Sequence, residues 1–141
     1  MVAFRSLYDV GMNRQARSGY KILIADDSPD IANRIIRLLA DIDEISVVGP
    51  VHNGQDAIEL FKRHSPDAAL LDMQMPKLNG LQVLTAIRAE NSECVVIILT
   101  LYENELLRVR CLEAGADHFI CKSQAPNRVL EIVKNLLAVE S

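Results

Sequence analysis

The feature that most constrains the fold is a regular alternation between short apolar runs and longer segments with helical spacing. Five runs rich in β-branched residues predict strands at residues 21–25, 45–51, 67–71, 94–100 and 118–121. The segments between them are long enough to form helices. Repeated strand–helix units with nearly continuous apolar strands are typical of an α/β fold, in which a parallel, doubly wound sheet is covered by helices on both faces.

The first and last predicted helices carry the clearest apolar stripes. Ser28 and Pro29 predict the start of the first helix, because serine can cap a helix and proline suits its first turn. Its stripe consists of Ile31, Ile35, Leu38, Leu39 and Ile42. The stripe of the last helix, which follows Pro126, consists of Val129, Ile132, Val133, Leu136 and Leu137. Each stripe predicts a helix lying against the sheet.

Length and composition favour one domain in the cytoplasm. The chain has 141 residues, half of them apolar, which suffices for one core. Its net charge of −4 argues against a surface built to bind nucleic acid. The three cysteines form no CxxC pair and predict reduced thiols. No apolar run is long enough to span a membrane and no signal peptide is evident, so we expect a cytoplasmic protein without membrane contact.

The first residues differ from the rest in charge and periodicity. Residues 1–20 carry a net charge of +2, from Arg5, Arg14 and Arg17 against Asp9. They show no sustained period, so residues 1–19 are interpreted as a flexible N-terminal extension and residues 20–141 as the folded domain. The alternative is a short helix that docks on a partner or on the domain.

Charged and polar residues follow four of the predicted strands. Asp26 and Asp27 follow the first strand, while Asp72, Thr100 and Lys122 lie at the ends of the third, fourth and fifth. In a parallel sheet these ends share one rim, where ligands bind. Three carboxylates at ~4 Å would repel one another by about 4 kcal/mol per pair at an effective dielectric of ~20. Magnesium and the Lys122 ammonium are therefore predicted to hold them together.

With these residues, the chain from Lys21 to about Leu137 resembles the receiver domain of two-component response regulators, and we interpret it as a single-domain regulator. The resemblance rests on Asp26-Asp27, the run from Leu71 to Gly80, Thr100, the turn at residues 115–117, and Lys122. It implies a flavodoxin-like fold with strand order 2-1-3-4-5. Residues 20–141 would then be the receiver domain.

The resemblance assigns a role to each rim residue. Asp72 is the expected phosphoacceptor, which receives a phosphoryl group from a histidine kinase or a phosphotransfer protein. Asp27 is the expected direct Mg²⁺ ligand and Asp26 a ligand through water, while Asp72 and the backbone carbonyl of Gln74 complete the metal site. Phosphoryl transfer needs positioning and charge neutralisation, which Mg²⁺ and Lys122 would supply. Such a protein catalyses its own phosphorylation and dephosphorylation and is otherwise not an enzyme.

Two further positions are expected to report phosphorylation. Thr100 would move towards the phosphoryl group, and Phe119, three residues before the lysine, would turn inward with it. Phenylalanine has no hydroxyl that needs a partner when buried, so we expect an inward ring to be populated readily. The alternative is that Phe119 is an ordinary core residue.

Three departures from the usual receiver pattern bear on access and loop geometry. Leu101 stands where a small residue is common, which would narrow the approach to Asp72. Gln74 and Tyr102 occupy positions expected to tune the lifetime of the acyl phosphate. Ser123 follows Lys122 where many receivers have proline after a cis bond, and because a non-proline cis bond costs about 3–4 kcal/mol we expect a trans peptide there.

The output is expected to be a protein contact. The face formed by the fourth helix, fifth strand and fifth helix would change on phosphorylation and signal to a downstream protein, with a homodimer as a further option. One alternative is the receiver segment of a longer DNA-binding regulator whose helix-turn-helix domain is missing. A phosphatase with an aspartyl nucleophile is disfavoured, because Gln74 stands where such enzymes have a second acid. Flavin binding is disfavoured because Asp26 and Asp27 would repel a phosphate.

Overall fold

The computed structural model describes residues 19–90 and 92–140. The predicted extension, except for Gly19, lies outside these residues. Five strands are present: β1 Tyr20–Ala25, β2 Ile45–Val51, β3 Ala68–Asp72, β4 Val95–Thr100 and β5 His118–Cys121. The helices are α1 Pro29–Leu39, α2 Gly54–His64, α3 Gly80–Ala89, α4 Glu105–Glu113 and α5 Ala125–Glu140, with a short 3₁₀ turn at Lys122–Gln124. All five predicted strands are confirmed to within one or two residues at their ends.

The strands form one parallel sheet with the order β2-β1-β3-β4-β5. This is the predicted order, and it places β1, β3, β4 and β5 side by side. Their carboxyl ends therefore meet at one rim of the sheet. The edge strand β5 has four residues and pairs only with β4, from Ile97–His118 to Thr100–Cys121.

Alternate residues of the strands supply two cores, one on each face of the sheet. One core packs Ile22 and Ile24 against α1 and α5, for example against Ile35 and Val129. The other core packs Leu23 and other strand residues against α2, α3 and α4. The two apolar stripes expected from the sequence thus share one face of the sheet.

The helix ends use capping side chains unevenly. Helix α1 starts at Pro29 as predicted, but the Ser28 side chain makes no capping hydrogen bond. Asn53 caps α2 by accepting from the Asp56 N–H at 2.8 Å, and Asn104 caps α4 by accepting from the Leu107 N–H at 3.0 Å. A polar oxygen at these positions satisfies an amide that the first helical turn leaves unpaired.

The chain after β5 enters the 3₁₀ turn without a cis bond. Within the described residues, the cis peptide is Gly49–Pro50, so the Lys122–Ser123 bond is trans, as expected from the sequence. Cys94 and Cys111 are buried free thiols and Cys121 is a half-exposed one. None of the helices in the described part of the chain is long and apolar enough to cross a membrane.

Candidate phosphorylation site

The rim of the sheet brings the predicted charged residues together around one ammonium group. Lys122 Nζ lies 2.9 Å from Asp26 Oδ1 and 2.9 Å from Asp72 Oδ2. Lys122, Asp26 and Asp72 are exposed by only 5%, 1% and 4%. Burial by itself would lower the pKa of Lys122, but its hydrogen bonds to the two carboxylates outweigh burial and raise that pKa. Lys122 therefore stays charged and screens the two acids from each other.

Asp26 is the most deeply buried of the three acids predicted at the rim. Burial raises the pKa of its carboxyl group, against the hydrogen bonds from the Ser28 N–H and from Lys122. Its second oxygen, Oδ2, is buried and has no hydrogen-bond partner within the described residues. A buried carboxylate oxygen without a partner is costly, so it calls for a further cation or water.

The carboxylate of Asp72 is oriented by two backbone amides. Its Oδ1 accepts from the Gln74 N–H at 3.1 Å, and its Oδ2 accepts from the Asp27 N–H at 3.2 Å as well as from Lys122. Hydrogen bonds on both oxygens fix the plane of the carboxylate at the end of β3.

An open cleft of about 550 Å³ lies beside the segment that follows Asp72. It is lined by Asp27, Met73, Gln74, Met75, Pro76, Asn79 and Leu107. Asp27 is solvent-exposed, so its carboxylate faces a different environment from that of its neighbour Asp26. The cleft gives a ligand access to the segment that carries Asp72.

The oxygen donors at this rim fit magnesium. The described residues hold no preformed group of three acidic, histidine or cysteine side chains for a metal ion. Magnesium, however, often uses only one or two carboxylates and keeps several waters. Asp26, with its unpartnered buried Oδ2, Asp27 and the Gln74 carbonyl are residues of the required type.

The loop after Asp72 is held closely against the site. The Gly80 N–H donates to the Met73 carbonyl at 3.1 Å. A Cβ on Gly80 would lie 2.6 Å from the Asp72 carbonyl oxygen, so only glycine fits there. Asn79 and Gln82 form a reciprocal capping box at the start of α3. The run that carried the sequence resemblance therefore has a structural role in placing Asp72.

The sequence matches the profile of the response regulator receiver domain over residues 22–134. The chain belongs to this family. A Pseudomonas aeruginosa protein described as a transcriptional regulator is 36% identical over 118 residues, which cover 84% of this chain and 56% of that protein. The nitrate/nitrite response regulator protein NarL of Escherichia coli is 32% identical over 119 residues, covering 84% of this chain and 55% of NarL. The chain thus spans about half the length of these curated relatives.

Solved receiver domains share the fold. The receiver domain of the Francisella response regulator 1452 superposes with a TM-score of 0.77 at 26% identity, covering 87% of this chain and 100% of that one. The strand order 2-1-3-4-5 and the flanking helices are therefore those of a receiver domain.

The expected switch residues of the receiver lie on the α4 side of the rim. Thr100 is buried, and its hydroxyl donates to the Tyr102 carbonyl at 3.2 Å rather than to Asp72. Phe119 is half-buried and packs against the core beneath α4. Leu101 and Tyr102 are exposed by 57% and 73%. The Leu101 side chain is thus turned largely to solvent, and the roles of all four residues stay predictions.

One contact at the receiver site was missed by the sequence analysis. His52, at the end of β2, has Nδ1 2.8 Å from the Asp26 carbonyl oxygen. Because a carbonyl only accepts, Nδ1 carries the proton and donates this bond. The partner is a backbone atom, which no spacing of side-chain types reveals.

Proposed function

We propose that this receiver accepts a phosphoryl group on Asp72 in a magnesium-dependent reaction and transmits the change to a protein partner. The observation that carries the proposal is the environment of the Asp72 carboxylate, which is held by Lys122 and two backbone amides beside an open cleft. A carboxylate fixed in this way presents an oxygen to an incoming phosphorus atom.

In the proposed reaction an oxygen of Asp72 attacks the phosphorus of a phosphorylated donor. The new P–O bond forms as the bond from phosphorus to the donor atom breaks, and the donor keeps that electron pair. Lys122 balances the negative charge on the Asp72 carboxylate and on the transferred group. The backbone amides of Asp27 and Gln74 orient the carboxylate. Asp26, Asp27, Asp72 and the Gln74 carbonyl would hold magnesium, which when bound supplies positive charge beside the phosphoryl oxygens.

The donor and the receiver of the signal follow from the family resemblance. A cytoplasmic histidine kinase or phosphotransfer protein would supply the group. The face of α4, β5 and α5 would present the change, with Thr100 turning from the Tyr102 carbonyl towards the phosphoryl group and Phe119 following. A downstream protein, or a second receiver in a homodimer, would read that face.

The first test is intact-mass analysis after incubation with acetyl phosphate, with and without Mg²⁺. The expected result is a magnesium-dependent gain of one phosphoryl group, which Asp72→Asn abolishes. Asp30→Asn, an exposed acid in the first turn of α1, is the matched control and should still react. A phosphorylated histidine phosphotransfer protein serves as a second donor, because the sequence predicts that Leu101 narrows the approach of some donors to Asp72. A folded protein that gains no mass with either donor overturns the proposal.

The lifetime of the product tests the role of two exposed residues. Gln74 lies two residues after Asp72 and Tyr102 two residues after Thr100, and both are exposed. Gln74→Ala and Tyr102→Ala should each change the decay rate of the acyl phosphate, measured by intact mass over time. Unchanged decay in both variants removes these residues from the proposal while leaving phosphorylation intact.

A second candidate function is that of the receiver segment of a longer transcriptional regulator. Its support is the length of the relatives, of which this chain spans 56% and 55%. Sequencing the gene beyond the codon for Ser141 tests it, because a DNA-binding domain downstream supports this alternative and a stop codon supports the stand-alone receiver. Turnover of a phosphate ester would instead favour the phosphatase.

A further inference from the structure

A sulfur contact joins the segment that carries Asp72 to helix α4. The thiol Sγ of Cys111 lies 3.9 Å from the thioether Sδ of Met73. Cys111 is 0% exposed and Met73 is 7% exposed. Burial raises the pKa of the Cys111 thiol, so the thiol keeps its proton and can donate it towards the thioether. Met73 directly follows the phosphoacceptor in the chain.

Cys111 is the one residue of helix α4 that is fully buried against the sheet. Cys111 is the buried residue of Glu105–Glu113, while Leu107 and Leu112 are only half-buried against the same core. On the outer side, Leu106 and Val109 are exposed by 66% and 36%. A helix with so few buried contacts can shift at low cost, so the position of Cys111 has a large influence on it.

The side chain of Met73 is better placed to move than its backbone. Its N–H donates to the Leu99 carbonyl at 2.7 Å, and its carbonyl accepts from Gly80 at 3.1 Å. The long, unbranched methionine side chain has three rotatable bonds and a polarizable sulfur. A change beside Asp72 therefore passes into the Met73 side chain more readily than into its fixed backbone.

The cleft next to Asp72 connects these features. Met73 and Leu107 both line it, so a group entering the cleft meets one residue from the phosphoacceptor segment and one from α4. Phosphorylation also turns one Asp72 oxygen into a bridging oxygen, a poorer acceptor for the Gln74 or Asp27 amide. Both effects act next to Met73.

We infer that Met73 and Cys111 form a connection through which phosphorylation of Asp72 repositions helix α4, distinct from the route through Thr100 and Phe119. This inference rests on the proposed function. It assigns positioning roles to two residues that touch neither the donor nor the output partner, and the contact that carries it is the pair of sulfur atoms.

Hydrogen–deuterium exchange of the peptide covering α4 tests this inference, with and without beryllofluoride as a stable phosphoryl mimic. The variants are Cys111→Ala and Met73→Leu, the latter nearly conserving volume. Cys94→Ala is the matched control, since Cys94 is also a buried thiol but bonds to the Val95 carbonyl. The readout is the ratio of exchange rates between the two states, which a merely local loss of packing would not change in both variants.

The expected result is an α4 response in the native protein that falls by at least about twofold in Cys111→Ala and in Met73→Leu. The double variant should lose no more than the larger single loss, because both changes remove one contact. Cys94→Ala should respond like the native protein. Mass analysis with acetyl phosphate runs in parallel and should show the adduct in every variant.

A full α4 response in both variants, with the adduct present, overturns the inference and leaves the proposed function standing. Native protein that forms the adduct without any α4 response does the same. Absence of the adduct from folded native protein with both acetyl phosphate and the phosphotransfer protein overturns the proposed function and this inference with it.

Discussion

Helices α1 and α4 both lie on the sheet, but very different amounts of side chain hold them there. Helix α1 buries Ala32, Ile35, Ile36 and Leu39, each exposed by 2% or less. Helix α4 fully buries Cys111 alone among its described residues. Full burial of an isoleucine or leucine contributes about 1.5–3 kcal/mol each, so α1 is the more strongly anchored helix. The expected output face therefore includes a helix, α4, that is held by fewer buried side chains than α1.

The largest effect on stability is expected when the buried side of α1 is weakened. Ile35→Ala should lower the free energy of unfolding by about 2–5 kcal/mol, because it leaves a cavity in the core between α1 and the sheet. Urea denaturation followed by circular dichroism measures this. Arg34→Ala on the exposed side of the same helix is the control and should be nearly neutral. A loss below about 1 kcal/mol for Ile35→Ala would contradict the packing described for α1.

The next largest effect is expected at the turn that follows α4. Arg88, on α3, binds this turn through hydrogen bonds. Arg88 donates to the Gly115 carbonyl at 2.7 Å and 3.1 Å, to the Cys94 carbonyl at 2.7 Å, and to Asp117 at 3.1 Å. Arg88→Ala removes these bonds from the two carbonyls, while Asp117 keeps its bond from the Val96 N–H, so we expect a loss of about 2 kcal/mol in unfolding free energy. Denaturation of Arg110→Ala, an exposed arginine on α4, provides the control. Equal stability of the two variants would show that Arg88 does not hold this end.

Two adjacent leucines on α4 differ in how far they are buried. Leu107 is half-buried, whereas Leu106 is 66% exposed. Leu107→Ala should cost about 1 kcal/mol and Leu106→Ala no more than about 0.5 kcal/mol, measured by denaturation. Both variants should leave exchange of the α1 amides unchanged. If Leu106→Ala is the more destabilising one, the inward and outward sides of α4 have been assigned wrongly.

The smallest effect concerns pH and His118, the first residue of the edge strand β5. Burial lowers the pKa of His118 from 6.5, with Arg128 acting in the same direction and Asp117 against it. The unfolded chain therefore takes up this proton first, so stability should fall as pH drops from about 6.5 through the lowered folded pKa. His118→Gln should flatten the pH dependence of unfolding in that window. The pKa of His64 is also lowered, so His64 should add its own pH dependence of stability in the same direction. If His118→Gln leaves the pH dependence of unfolding unchanged, His118 does not contribute to it.

The sequence predicted the well-anchored parts of the domain better than the loosely anchored ones. The stripe of α1 is visible because its apolar residues recur at helical spacing, and two of them, Ile35 and Leu39, are fully buried. Helix α4 carries Leu106, Leu107 and Val109 close together, so its apolar residues point in several directions and no single stripe emerges. Burial there depends on tertiary contacts that local spacing does not encode.

The same limit applies to the site. Strand ends predicted which residues share the rim, because parallel order alone brings Asp26, Asp72 and Lys122 to one edge. The sequence did not predict that Lys122 would contact both of those acids while Asp27 stayed exposed. The His52 and Arg88 contacts were missed since their acceptors are mainly backbone carbonyls, which every residue has. The serine cap at Ser28 was wrong in detail because the side chain makes no capping bond.

The shallow seating of α4 has a consequence for how such a domain can diversify. Substitutions at outward positions such as Leu106 and Val109 change the surface that a partner meets while hardly touching folding stability. Most new sequences there would remain above the stability threshold that selection enforces. A duplicated copy of the gene could therefore acquire a different binding partner through changes in α4 while it kept the residues around Asp72.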